Sequence, residues 1–223
     1  MGKQDSSEKR RNPEANKNNY PDKGLQEGSH LKRMQKRKEI QVKRLEQRKK
    51  EKGLTIVFTG NGKGKTTAAL GIALRTIGHR KRVAIIQFIK GGWSPGEEKA
   101  LKIYKDLVDW HALGEGFTWE TQNKELDIKL VNKAWEKSLL YLKDENYKVV
   151  ILDEINIAIG HGYISSAEVL AGIESRPSMT HTVLTGRGAC EELVSAADLV
   201  TEMSLIKHPF NEQGIKAQEG IEF

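Results

Sequence analysis

The chain alternates short, continuous apolar segments with longer segments in which apolar residues recur every three or four positions. The short segments are rich in β-branched residues and have the length of buried strands, whereas the longer ones have helical periodicity. The predicted strands are residues 54–58, 83–89, 148–152, 181–184 and 199–203. The predicted helices are residues 66–77, 95–107, 123–142, 165–175 and 190–197. This alternation predicts an α/β domain over residues 53–223, with a mostly parallel sheet covered by helices on both faces.

The first 52 residues have a different pattern. Residues 1–30 are polar, and we predict a disordered tail because such a stretch cannot offset its ordering entropy by burial. Residues 31–52 contain neither glycine nor proline and are rich in helix formers, which predicts a basic amphipathic helix that ends before Gly53. A thin apolar seam runs along one face of this helix, interrupted by Lys38. Its members are Leu31, Met34, Val42 and Leu45. The seam favours docking on another surface, and a solvated helix or coil is the alternative.

The net charge of +7 is located in this arm. Residues 1–52 carry 17 Lys/Arg against 8 Asp/Glu, while residues 53–223 carry 20 against 22. A nucleic-acid-binding domain usually spreads positive charge over its folded face, so we expect no nucleic-acid partner. A single cysteine excludes an internal disulfide, and no apolar run approaches the ~20 residues of a membrane span. We therefore expect a cytoplasmic protein with no membrane association.

A phosphate-binding loop follows the first predicted strand and opens a helix. Its candidate nucleotide-binding residues are Gly60, Asn61, Gly62, Lys63, Gly64, Lys65, Thr66 and Thr67. Glycines let backbone N–H groups face an anion, and the helix N-terminus adds its positive dipole end. Lys65 brings a cation to the phosphates, and the Thr66 hydroxyl is suited to Mg²⁺. Thr59 departs from the consensus, which has glycine at this position.

Two carboxylates, Asp153 and Glu154, follow the predicted strand 148–152. Ligands bind at the carboxyl ends of strands in open α/β sheets, so these side chains are candidates to hold the metal with Thr66. One can bind the ion through water, and the other can ligate it directly or act as a base. The alternative is that Asp153 only ends the strand or caps a helix. Together the two motifs predict a nucleoside triphosphate with a divalent metal.

Three glycine-rich segments, residues 91–97, 114–120 and 185–188, are expected at the same edge of the sheet. In the last, Arg187 is a candidate for contact with phosphate, with a surface arginine in a turn as the alternative. Glycine and threonine surround Phe117 and Trp119, so a flat surface for a large planar ligand is as plausible as core packing. No pair of histidines has metal-ligand spacing.

Several segments, taken in order, resemble the P-loop type ATP:corrinoid adenosyltransferases. They are residues 59–69, 87–91, 116–121, 152–154, 176–177, 185–188, 197–202, 207–210 and 214–223. The phosphate loop alone is shared with many functions, so the 116–121 segment and the C-terminal tail make the resemblance specific. The similarity covers about residues 31–223 and implies a P-loop, RecA-like fold preceded by the basic helix.

The resemblance implies that the chain transfers the 5′-deoxyadenosyl group of ATP to cobalt(I) of a reduced corrinoid and releases triphosphate, in cobalamin biosynthesis or salvage. It assigns Phe117 and Trp119 to catalysis, and it makes Lys65 and Arg187 catalytic candidates that stabilise the triphosphate, with ATP as co-substrate and Mg²⁺ or Mn²⁺ as the metal. It further implies a homodimer, and an electron-donating flavoprotein as reductant. Two other functions stay open from the residues alone: a phosphohydrolase or kinase that uses Glu154 to activate water, and a nucleotide-dependent nucleic-acid binder that uses the basic arm.

Overall fold

The computed structural model describes residues 23–89, 95–113 and 123–222, and side chains from His30 onward within those ranges. The chain divides into two units, Met1–Lys50 and Glu51–Phe223. In the first unit, helix α1 spans Lys23–Glu46. It begins eight residues earlier than the predicted helix and ends earlier, so residues 23–30 are helical and do not belong to a disordered tail. The apolar seam of α1 is exposed. The predicted disorder of residues 1–22 lies outside the described residues.

The second unit contains a six-stranded parallel sheet, which confirms the predicted fold class. The strands are β1 (Thr55–Thr59), β2 (Arg82–Gln87), β3 (Val108–Ala112), β4 (Tyr147–Asp153), β5 (His181–Thr185) and β6 (Leu199–Glu202). Their order across the sheet is β3-β2-β4-β5-β1-β6. Because β5 lies between β1 and β4, the end of β5 separates the phosphate loop from the two carboxylates.

Helices cover both faces of this sheet. They are α2 (Lys65–Gly78), α3 (Gly96–Leu101), α4 (Lys124–Lys143), α5 (Ile155–Gly160), α6 (Ser166–Glu174), α7 (Glu191–Ala196) and α8 (Pro209–Gln213), with a 3₁₀ turn at Lys102–Tyr104. Successive side chains of a strand point to opposite faces. Accordingly Val57 packs in a core with residues of α4 to α7, whereas Ile56 and Phe58 pack in a second core with residues of α2.

Within the second unit, the predicted elements differ most from the observed ones in four places. The predicted helix 95–107 is a six-residue helix followed by the 3₁₀ turn, and strand β3 begins at Val108. Every residue of β3 is half-buried, as expected of an edge strand, so it lacks a continuous apolar signal. The apolar pattern also does not predict the short helices α5 and α8. In the described residues no helix is long and apolar enough to span a membrane.

Arg176 lies near the start of β1, at the opposite end of this strand from the phosphate loop. Arg176 follows α6, and its guanidinium donates to the carbonyl oxygens of Thr180, Ile173 and Gly53 and to Thr55 Oγ1, at 2.7–3.2 Å. Gly53 is required here because a Cβ would lie 2.0 Å from the Thr180 carbonyl oxygen. The Arg176–Pro177 segment therefore fixes the start of β1 and lies away from the phosphate loop.

Candidate active site

The phosphate loop packs against the backbone that follows β6. Gly62 N donates to the Met203 carbonyl oxygen at 2.6 Å, and Met203 N donates to the Thr59 carbonyl oxygen at 2.8 Å. A Cβ on Gly60 or Gly62 would lie 2.5 or 2.7 Å from that Met203 oxygen. Gly60 and Gly64 also have φ of +93° and +100°, a region that side chains rarely adopt. Glycine at these positions thus permits both the close packing and the turn.

Thr59, which departs from the loop consensus, ties two loops together. Its Oγ1 accepts a hydrogen bond of 3.0 Å from Ala189 N. Ala189 closes the turn that carries Arg187, so the extra hydroxyl connects the phosphate loop to that turn. A glycine at position 59 would lack the hydroxyl that makes this contact.

Lys65 is the first residue of α2 and is 8% exposed. Its Nζ donates to the carbonyl oxygens of Gly60 at 2.9 Å and Gly62 at 2.7 Å. An ammonium group has three donors, so one remains for a ligand in the loop. Burial is the largest cause that lowers the pKa of Lys65. The carboxylates of Glu154 and Asp153 oppose it, while Arg187 and Lys63 add to it. Lys65 therefore lies close enough to these predicted cations and carboxylates for their charges to shift its pKa.

Asp153 ends β4 and is the centre of a hydrogen-bond network. Its Oδ1 accepts from Thr66 Oγ1 at 2.9 Å and from Thr185 Oγ1 at 2.6 Å. Its Oδ2 accepts from Gln87 Nε2 at 3.0 Å, and Gln87 Oε1 in turn accepts from Trp110 Nε1 at 3.2 Å. The local sequence pattern predicts no individual role for Gln87 or Thr185. Both lie in segments that carry the family resemblance, residues 87–91 and 185–188, and each is a polar residue in or directly after an otherwise apolar strand.

Glu154 is held in an unusual backbone conformation next to this network. Its φ is +62°, and its N donates to Thr185 Oγ1 at 2.9 Å. The residue is half-buried, but its Oε2 is buried and has no hydrogen-bond partner among the described residues. Burial, and then the charge of Asp153, raise the pKa of Glu154 to about 7, against the opposing effects of Lys65 and Arg187. Glu154 Oε2 is therefore a buried carboxylate oxygen that no hydrogen-bond donor of the described residues satisfies.

The buried side chain of Asn156 supports the turn that carries Gly186 and Arg187. This side chain is 1% exposed, and its Nδ2 donates to the Gly186 carbonyl oxygen at 3.1 Å. Gly186 has φ of +124°, and a Cβ there would lie 3.0 Å from Asn156 Cβ and 3.1 Å from Glu154 Oε2. Arg187 itself is exposed. The turn therefore presents a guanidinium beside the phosphate loop on a firmly packed base.

Other predicted residues lie at the edges of this site or outside the described part of the chain. Asn61 and Thr67 are exposed on the loop and on the first turn of α2. Phe117 and Trp119, with residues 91–94, lie outside the described residues. Across the described residues, no group of three or more His, Cys, Asp or Glu side chains forms a metal site. This is compatible with Mg²⁺, which uses one or two carboxylates together with substrate phosphates.

Comparison with known proteins gives one consistent result. The family model described as ATP:corrinoid adenosyltransferase BtuR/CobO/CobP matches residues 51–223. The corrinoid adenosyltransferase of Pseudomonas aeruginosa is 46% identical over 194 residues, which cover 87% of this chain and 95% of the relative. That of Sinorhizobium sp is 50% identical over 196 residues, 87% of this chain and 91% of the relative. Corrinoid adenosyltransferase CobA of Salmonella typhimurium is 41% identical over 191 residues, 86% of this chain and 96% of the relative.

Proposed function

The chain belongs to the ATP:corrinoid adenosyltransferase family BtuR/CobO/CobP, and on that premise we propose that its phosphate loop holds the leaving group of the reaction. The enzyme transfers the 5′-deoxyadenosyl group of ATP to cobalt(I) of a reduced corrinoid. The electron pair of cobalt forms the bond to C5′, the C5′–O bond breaks, and its electrons leave with triphosphate. This assignment selects one of the three functions that the residues alone left open.

The observation that carries the proposal is the collection of positive groups at the loop. Lys63, Lys65 and Arg187 lie within one another's electric field beside the N-terminus of α2. Triphosphate leaves with more negative charge on its bridging oxygen than the ester had, so donors placed here bind the transition state better than ATP. Cobalt(I) is itself a strong nucleophile, and the reaction needs no general base.

The residues present fit a divalent metal, Mg²⁺ or Mn²⁺. Thr66 Oγ1 donates a hydrogen bond to Asp153 Oδ1, which leaves the lone pairs of the hydroxyl for a cation. Both oxygens of Asp153 already accept hydrogen bonds, whereas Glu154 Oε2 has no partner among the described residues. We therefore assign Thr66 and Glu154 as the direct ligands and Asp153 as the residue that orients Thr66. The ion would supply charge neutralisation for the phosphates.

The corrinoid side of the reaction is assigned to Phe117 and Trp119. Bulky apolar side chains can exclude an axial ligand of cobalt, which makes reduction to cobalt(I) easier. The electron donor is a flavoprotein, and the enzyme is a cytoplasmic homodimer that serves cobalamin biosynthesis or salvage. In this dimer the exposed apolar seam of α1 is the surface that contacts a partner and closes the active site.

A single incubation tests the proposed function. The protein is mixed with Mg²⁺-ATP and a chemically reduced corrinoid, and the visible spectrum is followed for the appearance of a cobalt–carbon bond. The matched control replaces ATP with ADP, which would leave diphosphate in place of triphosphate in the loop. Formation of the alkylated corrinoid with ATP supports the proposal, and a spectrum that stays that of the unalkylated corrinoid contradicts it.

A further inference from the structure

The C-terminal tail returns to the phosphate loop and places a carboxylate on it. Glu222 forms an ion pair with Lys63, although the two residues are 159 positions apart. The Lys63 side chain is 56% exposed, while that of Glu222 is only 19% exposed. Two backbone hydrogen bonds to the Gln218 carbonyl oxygen, from Ile221 N at 3.2 Å and Glu222 N at 2.9 Å, form the turn that presents Glu222. The backbone of Glu222 is thus fixed by a hydrogen-bonded turn.

The position of this contact matters because Lys63 lies in the phosphate loop. Burial, and then the charge of Arg187, lower the pKa of Lys63, so a second cation stands close by. An anion near this pair relieves their repulsion. Glu222 supplies one negative charge from the protein, and a polyphosphate in the loop supplies several. The two anions therefore compete for the same ammonium group.

We propose that Glu222 competes with triphosphate for Lys63 and thereby promotes release of the triphosphate product. The inference rests on the proposed function, because triphosphate is the product only if the C5′–O bond is the one that breaks. Free triphosphate carries one more ionisable oxygen than the same group within ATP, so it pairs more strongly with the loop cations. A product that binds more tightly than the substrate leaves slowly and so limits turnover. The Glu222 carboxylate can replace triphosphate as the partner of Lys63, which makes release of triphosphate faster.

The test measures binding to the full-length protein. Glu222→Gln keeps the size and most of the hydrogen-bonding capacity of the side chain but removes its charge. Glu219→Gln is the matched control, because Glu219 is exposed on the same turn and has no ion pair among those found in the described residues. Isothermal titration with sodium triphosphate and with ATP, at low and at 0.5 M salt, gives the dissociation constants.

Glu222→Gln is expected to tighten triphosphate binding about two- to fivefold, the range of an exposed ion pair, and ATP binding by less. It is also expected to steepen the loss of affinity with salt, because Lys63 then gains a new partner and does not exchange one for another. Unchanged or weaker triphosphate binding in Glu222→Gln, or an equal change in Glu219→Gln, would overturn the proposal. Because these are binding measurements without corrinoid, they stand apart from the test of the proposed function, which fails only if no alkylated corrinoid forms.

Discussion

Thr185 Oγ1 lies 2.6 Å from Asp153 Oδ1 and at the same time accepts a hydrogen bond from Glu154 N at 2.9 Å. One hydroxyl at the end of β5 therefore orients both carboxylates at the end of β4. This relationship exists because β4 and β5 are paired in parallel, with Leu152 opposite Leu184, so that their carboxyl ends lie side by side. The arrangement of the two carboxylates in the proposed metal site thus depends on the pairing of β4 with β5.

Replacing this hydroxyl tests the network. Thr185→Val removes a donor to a buried carboxylate, which commonly costs about 1.5–3 kcal/mol of unfolding free energy, and it weakens Mg²⁺-ATP binding. The control is Thr182→Val on the same strand, because the Thr182 hydroxyl is buried and has no partner among the described residues. Thr182→Val is expected to be neutral or stabilising. Denaturant unfolding with and without Mg²⁺-ATP measures both effects, and equal losses in the two variants would argue against the network.

Lys65→Ala is expected to lower turnover roughly 10²-fold or more, because it removes a cation positioned for the leaving group. The variant also leaves the Gly60 and Gly62 carbonyls without their donor, so folding must be checked by thermal unfolding. Lys133→Ala, an exposed lysine on α4, serves as the control for loss of a charge. Near-normal turnover in a folded Lys65→Ala enzyme would exclude the phosphate loop from the reaction.

Much of this site follows from the sequence. The strand, the glycine-rich loop and the helix start bring Lys65 and Thr66 together within one local segment, so their proximity can be predicted without knowledge of the fold. The position of the two carboxylates at the end of a buried strand also follows from the apolar pattern that precedes them. The hydrogen bonds from Gln87 and Thr185 to Asp153 do not follow from the local pattern, because they depend on which strands pair in the sheet.

The remaining differences have the same physical origin. Helix α5 begins directly after Glu154, whose left-handed backbone has no side-chain cap, so none of the usual start signals is present. Asn156 in that helix matters through its contact with a turn 30 residues away. The ion pair between Lys63 and Glu222 spans 159 residues, and no local pattern can predict it.

The pKa of Glu154, about 7, predicts a pH dependence of metal binding. Below pH 7 the carboxyl takes up a proton, so Mg²⁺-ATP affinity should fall as the pH decreases from 8 to 5.5, approaching tenfold per pH unit. Glu154→Gln should bind Mg²⁺-ATP more weakly at pH 8 and lose most of this dependence. Titration calorimetry at four pH values measures it, and parallel pH profiles for the two proteins would assign the titration to another group.

The same shift has the opposite consequence for stability. Because the pKa of Glu154 is raised on folding from its ordinary value of 4.5, the folded protein binds this proton more tightly than the unfolded chain. Its contribution to the unfolding free energy is therefore complete below pH 4.5 and lost as the pH rises through about 7. In the metal-free protein, Glu154→Gln cannot ionise and should not lose this stability, so the variant should become more stable relative to the parent enzyme as the pH rises from 4.5 through about 7.

The proposed role of Phe117 and Trp119 has a spectroscopic test. Alanine at either position should leave ATP affinity nearly unchanged but lower the fraction of four-coordinate cobalt(II), measured by electron paramagnetic resonance with ATP bound. The reason is that water or imidazole would gain access to the axial position. Chemically prepared cobalt(I) should partly restore turnover, because it bypasses the reduction step. Retention of the four-coordinate signal in both variants would identify the pair as ordinary packing.

Analysis of the reaction products tests whether the phosphate loop holds a leaving triphosphate. ATP is incubated with the enzyme, with and without reduced corrinoid, and the nucleotides and phosphates are separated by anion-exchange chromatography. We expect one triphosphate for each cobalt–carbon bond formed and no consumption of ATP without the corrinoid. ADP and phosphate accumulating in amounts equal to the ATP consumed, whether or not corrinoid is present, would contradict it.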